Sequence, residues 1–262
     1  MGLSRAKFTV MRFHEFFRFR PTFWPTVFTV PSLIILIGLG TWQLERLHWK
    51  ENLIAERALR STSAPIPLPA ENALPDSYDF SKTQVRGEFR NDKEMYLAAR
   101  SLNGNVGYHV VTPLRLDDGS TILVDRGWIP IERKDPSTRS TGEIAGTVTL
   151  EGLLRRGQKQ NWLVPDNEPQ NDIWFYVDIP AMAKWANLGG VRPYFVDAGP
   201  DPNPGGYPIG GQSPIDLPNN HLQYAITWYS FAVSLGVIYV IYHRNLAKER
   251  HASESDDEAE RT

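Results

Sequence analysis

Two long apolar runs interrupt an otherwise polar chain. Phe23 to Trp42 reads FWPTVFTVPSLIILIGLGTW and Tyr224 to Tyr242 reads YAITWYSFAVSLGVIYVIY, and neither carries a charge. At ~1.5 Å per residue, helices of this length cover roughly the ~30 Å hydrocarbon layer of a bilayer. The pattern predicts two transmembrane helices, at 23–42 and 221–242. Pro25 and Pro31 fall inside the first, where a kink is tolerated if the freed carbonyl finds another partner. Trp24, Trp42, Trp49, Tyr224 and Tyr242 stand where an interfacial aromatic belt belongs.

Between the two runs the period changes. Trp42 to Ser61 is rich in Leu, Glu, Arg and Ala, with Leu47, Ile54 and Ala58 at helical spacing, and reads as a helix emerging from the first span. The prolines of Ser61 to Ala70 end it. Short runs rich in Val, Tyr, Phe and Thr follow at Thr83–Phe89, Glu94–Leu97, Tyr108–Leu116, Thr121–Arg126, Thr147–Leu154, Ile173–Val177 and Tyr194–Asp197. Asp117-Asp118-Gly119 marks a hairpin. Ile179 to Asn187 reads as one short helix with Pro180 in its first turn. Gly199 to Pro218, rich in glycine and proline, is an irregular connector. The expected fold class is a membrane protein: two transmembrane α-helices flanking a mainly antiparallel β extracytoplasmic domain, a barrel or a sandwich.

Charge sets the expected orientation. No Lys or Arg lies in Asp201–Asn220, before the second span, whereas Arg244, Lys248 and Arg250 follow it, so its C-terminal end is expected in the cytoplasm. Two spans place both termini on one side. The divisions are then a cytoplasmic segment 1–22, a span 23–42, an exported domain with its helical stalk 43–220, a span 221–242 and an acidic cytoplasmic tail 243–262. The tail from Ser253 reads as disordered. The first span is expected to be a retained anchor, because its Gly40-Thr41-Trp42 end lacks a small-x-small cleavage site.

Composition narrows the chemistry. A net charge of −2 gives no basic surface for nucleic acid. The absence of cysteine removes disulfides, thiolate metal sites and covalent haem attachment, and with four methionines it argues against copper(I) delivery. No G-x-S-x-G, H-E-x-x-H or phosphate-binding glycine loop is present, so no catalytic residue is assigned. Asp125-Arg126 reads as a structural ion pair, His109 as a satisfied strand histidine, His48 as exposed, and His14, His243 and His251 as solvated flanks.

His221 stands apart. It sits at the non-cytoplasmic start of the second span, with Tyr224 and Trp228 three and seven residues on, along one helix face. Trp42, Arg46 and Trp49 share a face of the first helix at the same expected depth. A neutral imidazole, aromatic planes and a cation together can hold a haem, His221 meeting the iron and Arg46 a propionate. The same residues also suit an ordinary aromatic belt with a histidine at the helix start, and both readings stand at this point.

Several separated segments resemble one known family. These are Leu39-Gly40-Thr41-Trp42-Gln43-Leu44-Glu45-Arg46 with Trp49-Lys50; Arg100-Ser101-Leu102; Gly107-Tyr108 and Thr112-Pro113-Leu114; Leu123-Val124-Asp125-Arg126-Gly127-Trp128-Ile129-Pro130; Pro165-Asp166-Asn167; Trp174-Phe175; and Asn220-His221-Leu222-Gln223-Tyr224-Ala225-Ile226-Thr227-Trp228-Tyr229. They are similar, in order and placement, to the Surfeit locus protein 1 family of cytochrome c oxidase assembly factors. Asp125 departs from the family's usual asparagine. The resemblance implies an assembly factor for haem-copper oxidase that binds haem a and hands it over during maturation of subunit I. It implies His221 as the candidate axial ligand to haem iron, with Trp42, Arg46, Trp49, Tyr224 and Trp228 as further cofactor-binding candidates. The partners implied are subunit I, a haem a synthase and the lipid bilayer, in a bacterial plasma membrane or, alternatively, a mitochondrial inner membrane. A cofactor-free scaffold that steadies an oxidase intermediate is the alternative function.

Overall fold

The computed structural model describes residues 21–71 and 75–260. Most of the expected segment 1–22, including His14, lies outside them, as does the side chain of His251. The chain divides into a helical unit, formed by residues up to Glu51 and from Pro218 onward, and a β unit from Asn52 to Leu217.

Helix α1 spans Phe23–Thr62. A short turn of helix, α2, occupies Pro75–Tyr78. Helix α3 covers Ile179–Trp185 and helix α4 covers His221–Glu260. Helices α1 and α4 each contain a stretch long and apolar enough to cross a membrane. Their apolar side chains are not packed into a core: Phe28, Ile34, Val233 and Ile238 keep 63–66% of their surface open. A core helix of a soluble protein would bury such side chains; a lipid-facing one leaves them bare.

The two helices pair through small and hydroxyl-bearing residues, as spans do when lipid removes the hydrophobic drive between them. Gly40 is buried, and a Cβ there would sit 2.9 Å from the Tyr229 ring. Ala225 and Ala232 are buried on α4. Thr41 Oγ1 lies 3.1 Å from the Tyr229 hydroxyl and Thr26 Oγ1 2.6 Å from the Tyr239 hydroxyl. His243 corrects an expectation. It is 1% exposed, not solvated. Its Nε2 accepts from Thr22 N–H at 3.0 Å and its Nδ1–H donates to the Tyr239 carbonyl at 2.8 Å. It lies one helical turn beyond Tyr239 and so continues the face that α4 turns to α1. The tail is a second correction: residues 253–260 are helical rather than disordered. Glycine and proline are absent from Asn245 onward, and Ala, Lys, Arg and Glu favour continuation.

The β unit has six strands: β1 Lys82–Phe89, β2 Met95–Leu102, β3 Asn105–Leu116, β4 Thr121–Pro130, β5 Thr147–Arg156 and β6 Val191–Ala198. Their order is β1-β5-β6-β4-β3-β2, and β1 also pairs with the end of β3, from Gly87↔Leu116 to Phe89↔Leu114. That pairing closes five strands into a barrel, with β2 continuing the edge beside the start of β3. All pairs are antiparallel except β4 with β6. The apolar-run segment Ile173–Val177 is not a strand. It makes isolated bridges only, after Asp172 in the left-handed region at φ 48°. Its apolar pattern reflects packing: Trp174 and Val177 are buried.

Strand β4 is buried along nearly its whole length, because both of its faces are covered. Ile122 and Val124 point into the barrel with Val85, Leu114, Leu154 and Val196. Leu123 points outward with Leu97, Val111 and Phe195, beneath Trp174, Ile179 and Met182. The outer layer is thus capped by α3, whose Asp178 N-cap accepts from Ala181 N–H. Asn167 fastens the segment beside it, accepting from Phe175 N–H at 2.8 Å and donating to the Tyr176 carbonyl.

Candidate functional site

At the start of α4, the His221 side chain is half-buried against α1. Its Nδ1 lies 2.6 Å from Oε1 of Gln43, itself 9% exposed. A carbonyl oxygen only accepts, so His221 Nδ1 donates this bond, and in the neutral ring Nε2 keeps the lone pair. Orientation of an imidazole through its far nitrogen is the usual way a protein prepares a histidine to bind a metal. Gln43 reaches this position because it lies three residues beyond Gly40, on the face where the helices touch. Lys50 Nζ donates to the Pro218 carbonyl, tying the approach to α4 back to α1.

The other expected residues are placed differently. The Arg46 guanidinium stacks on Trp49, 4.0 Å from the ring centroid. Trp42, Trp49 and Tyr224 are 53%, 51% and 54% exposed. Trp228 is half-buried and meets Phe231 edge to face at 6.2 Å. Among the described residues, the hydrogen-bond partner of His221 is Gln43, and Arg46 pairs with Trp49. The candidates thus fall into separate contacts, His221 with Gln43, Arg46 with Trp49 and Trp228 with Phe231, and among the described residues no hydrogen bond or ring contact joins His221 to the indoles or to Arg46. Gln43 was not singled out from sequence. It stands next to Trp42 in the first-span signature, but nothing in a lone polar residue at a span end says that it faces a histidine 178 residues away.

As a fit for haem, the donor chemistry is suitable: an imidazole whose Nε2 has no hydrogen-bond partner among the described residues, exposed aromatic faces, and an arginine with no ion-pair partner among the described residues. The described residues hold no cluster of three or more His, Asp or Glu side chains that would suggest a free metal ion instead.

In the β unit, Asp125 and Arg126 do not pair with each other. Successive strand residues point to opposite faces. Asp125 faces outward, 2.8 Å from His109 Nδ1 and accepting from Gly127 N–H at 2.9 Å. His109 thus has the partner expected of a structural histidine, and His48 is exposed. Arg126 faces inward and is 1% exposed. Its nearest carboxylate is Glu94 at 3.6 Å, which Arg139 holds through two hydrogen bonds of 3.2 and 2.5 Å. Burial draws the Arg126 guanidinium down to about 10. Arg139 is also buried, yet the Glu94 bonds raise it above the ordinary arginine value. Gly127, at φ 113°, completes the box: a Cβ there would lie 1.9 Å from the Ile209 carbonyl oxygen. Only glycine lets the 207–211 strap lie on β4, where Trp128 and Ile209 exchange hydrogen bonds of 2.9 and 2.8 Å.

Fold and site together define a class: a two-span membrane protein that carries one small β-barrel unit and an oriented histidine at the head of its second span. Known proteins make the assignment specific. The model of the SURF1 family matches residues 31–233. Surfeit locus protein 1 of Mus musculus is 38% identical over 217 residues, covering 77% of this chain and 70% of the relative. That of Homo sapiens is 37% identical over 222 residues, covering 79% and 73%. The SURF1-like protein of Monosiga brevicollis is 37% identical over 223 residues, covering 80% and 84%. The chain belongs to the SURF1 family.

Proposed function

We propose that this chain is an assembly factor for haem-copper cytochrome c oxidase, receiving haem a at His221 and passing it on during maturation of subunit I. Oxidase assembly is what the family resemblance implies, and family membership supports it. The haem step rests on one observation: the 2.6 Å contact between His221 Nδ1 and Gln43 Oε1, which leaves Nε2 as the ligating nitrogen. Haem a is here the cargo. The partner of the imidazole is a neutral amide, where resident metal sites often use a carboxylate that raises ligand basicity. An amide orients the ring without adding that charge, which suits a ligand that must later let go.

The surrounding residues have roles consistent with this. Trp42, and the face of Trp49 that Arg46 leaves uncovered, offer apolar area for a macrocycle. Arg46, stacked on Trp49, presents its guanidinium edge to a propionate. Trp228 and Tyr224 extend the aromatic surface along α4. The charge bias after α4 supports a topology with both termini in the cytoplasm and the β unit outside it, in a bacterial plasma membrane or a mitochondrial inner membrane. The partners on this reading are subunit I and a haem a synthase.

The test is genetic and spectroscopic. In cells lacking the protein, oxidase is isolated after complementation with wild type or His221→Ala. The proposal expects wild type to restore haem a per subunit I, and His221→Ala to restore well under half. Full restoration by His221→Ala would favour the cofactor-free scaffold.

A further inference from the structure

The outer face of the β unit contains a cavity of about 1670 Å³ that the haem reading does not use. It is lined by His109 on β3, Asp125 on β4, Asp197 on β6 and Arg100 on β2, and by the partly exposed apolar side chains of Val164, Phe175 and Leu188. The carboxylates in it are engaged. Asp125 is held by His109 and Gly127 N–H. Asp197 Oδ2 accepts from Arg155 at 2.7 Å and from the Ser213 hydroxyl at 2.6 Å. Asp79 pairs with Arg155, and Asp76 with Arg156.

The cations are not all so engaged. Arg100 donates one hydrogen bond, from Nη2 to the Phe175 carbonyl at 3.1 Å, and has no ion pair among the described residues. A guanidinium has five N–H donors, so most of its capacity is unspent. Burial pulls it below the ordinary arginine value, against the raising influence of Asp125 and Asp197. An arriving anion would relieve that cost. His109 lines the same cavity, with Nδ1 taken by Asp125 and Nε2 without a hydrogen-bond partner among the described residues. A guanidinium with spare donors beside partly exposed apolar side chains suits a molecule with one anionic end and an apolar body.

We propose that this cavity binds an amphipathic carboxylate, with its acid group on Arg100 and its apolar body along Val164, Phe175 and Leu188. A carboxylate matches the planar guanidinium fork. A doubly charged phosphate fits less well, because Asp125 and Asp197 already place negative charge nearby. The inference is independent of haem binding at His221.

The full-length protein in lipid nanodiscs is irradiated with a diazirine-bearing palmitic acid, and labelled peptides are mapped by mass spectrometry. The proposal expects label on residues 97–101 and 174–179. Arg100→Gln cuts that label at least fivefold, Arg100→Lys cuts it less, and His221→Ala leaves it unchanged. On wild-type protein alone, laurate competes, lauryl phosphate competes less and uncharged dodecanol does not, which decides the matter even if the Arg100 variants fold poorly. Label confined to α1 and α4, equal label in Arg100→Gln, or dodecanol competing as well as laurate would each overturn it.

Discussion

A single amide decides how the site at the head of α4 can work. Gln43 fixes the tautomer of His221 from across the helix pair, and removing it would leave a half-buried N–H without a partner while freeing the ring to turn. Gln43→Leu keeps most of the volume and none of the acceptor. We expect it to weaken haem retention by roughly tenfold, in line with losses on removing groups that orient metal ligands, and to leave the β unit's melting temperature unchanged. Haem titration of the purified variant, followed in the visible spectrum, measures this. Affinity equal to wild type would separate the hydrogen bond from haem binding. At this scale the sequence was partly readable. His221 was visible because a histidine at the edge of an uncharged run is conspicuous. Gln43 was not, because which face of α1 meets α4 depends on Gly40 and Tyr229 packing together, a tertiary fact. His243 was misjudged for the same reason: it bonds across the helix pair to Thr22, just before α1.

Among the elements, β4 joins the most functions. Its alternation sends Asp125 outward to the cavity and Arg126 inward to Glu94 and Arg139, while Gly127 admits the 207–211 strap. The inner cluster places two guanidiniums on one carboxylate, with Nε and Nη1 of Arg126 buried and without hydrogen bonds. Such a cluster holds only while Glu94 is charged. We expect Glu94→Gln to destabilise the β unit by about 3–5 kcal/mol, as breaking a buried ion pair by removing one partner does. Chemical denaturation followed by tryptophan fluorescence tests this, and a change under ~1 kcal/mol would be that of an exposed pair instead. Strand positions were legible from alternation and β-branched residues, and the Asp117-Asp118-Gly119 turn from its glycine, which sits at φ 85°. Barrel closure was not legible. It depends on β1 pairing with the last residues of β3, and no local pattern encodes that register. Segment 173–177 looked like a strand because burial of Trp174 and Val177 gives the same apolar signal as pairing.

For the molecule as a whole, the β unit carries a built-in response to pH. Burial, with Asp125 nearby, raises the Asp197 carboxyl to about 6, although Arg155 and Ser213 oppose it. Burial likewise raises Asp172 to about 6, against its bond from the Trp174 indole. A carboxyl whose folded value lies above its unfolded value binds more protons when folded, so ionisation costs stability as pH rises through the window between about 4 and about 6. Asp197→Asn removes one such cost. The difference in melting temperature, variant minus wild type, should therefore grow as pH rises from 4 to 7; a flat or falling difference across that range would contradict the buried-carboxyl account. The central claim concerns the helical unit and has a more direct test. Full-length protein and His221→Ala are purified in detergent from cells that make haem a, and the haem a absorption per protein is compared. The account predicts a haem a spectrum in the wild type that falls at least tenfold in His221→Ala; equal haem a in both would contradict it.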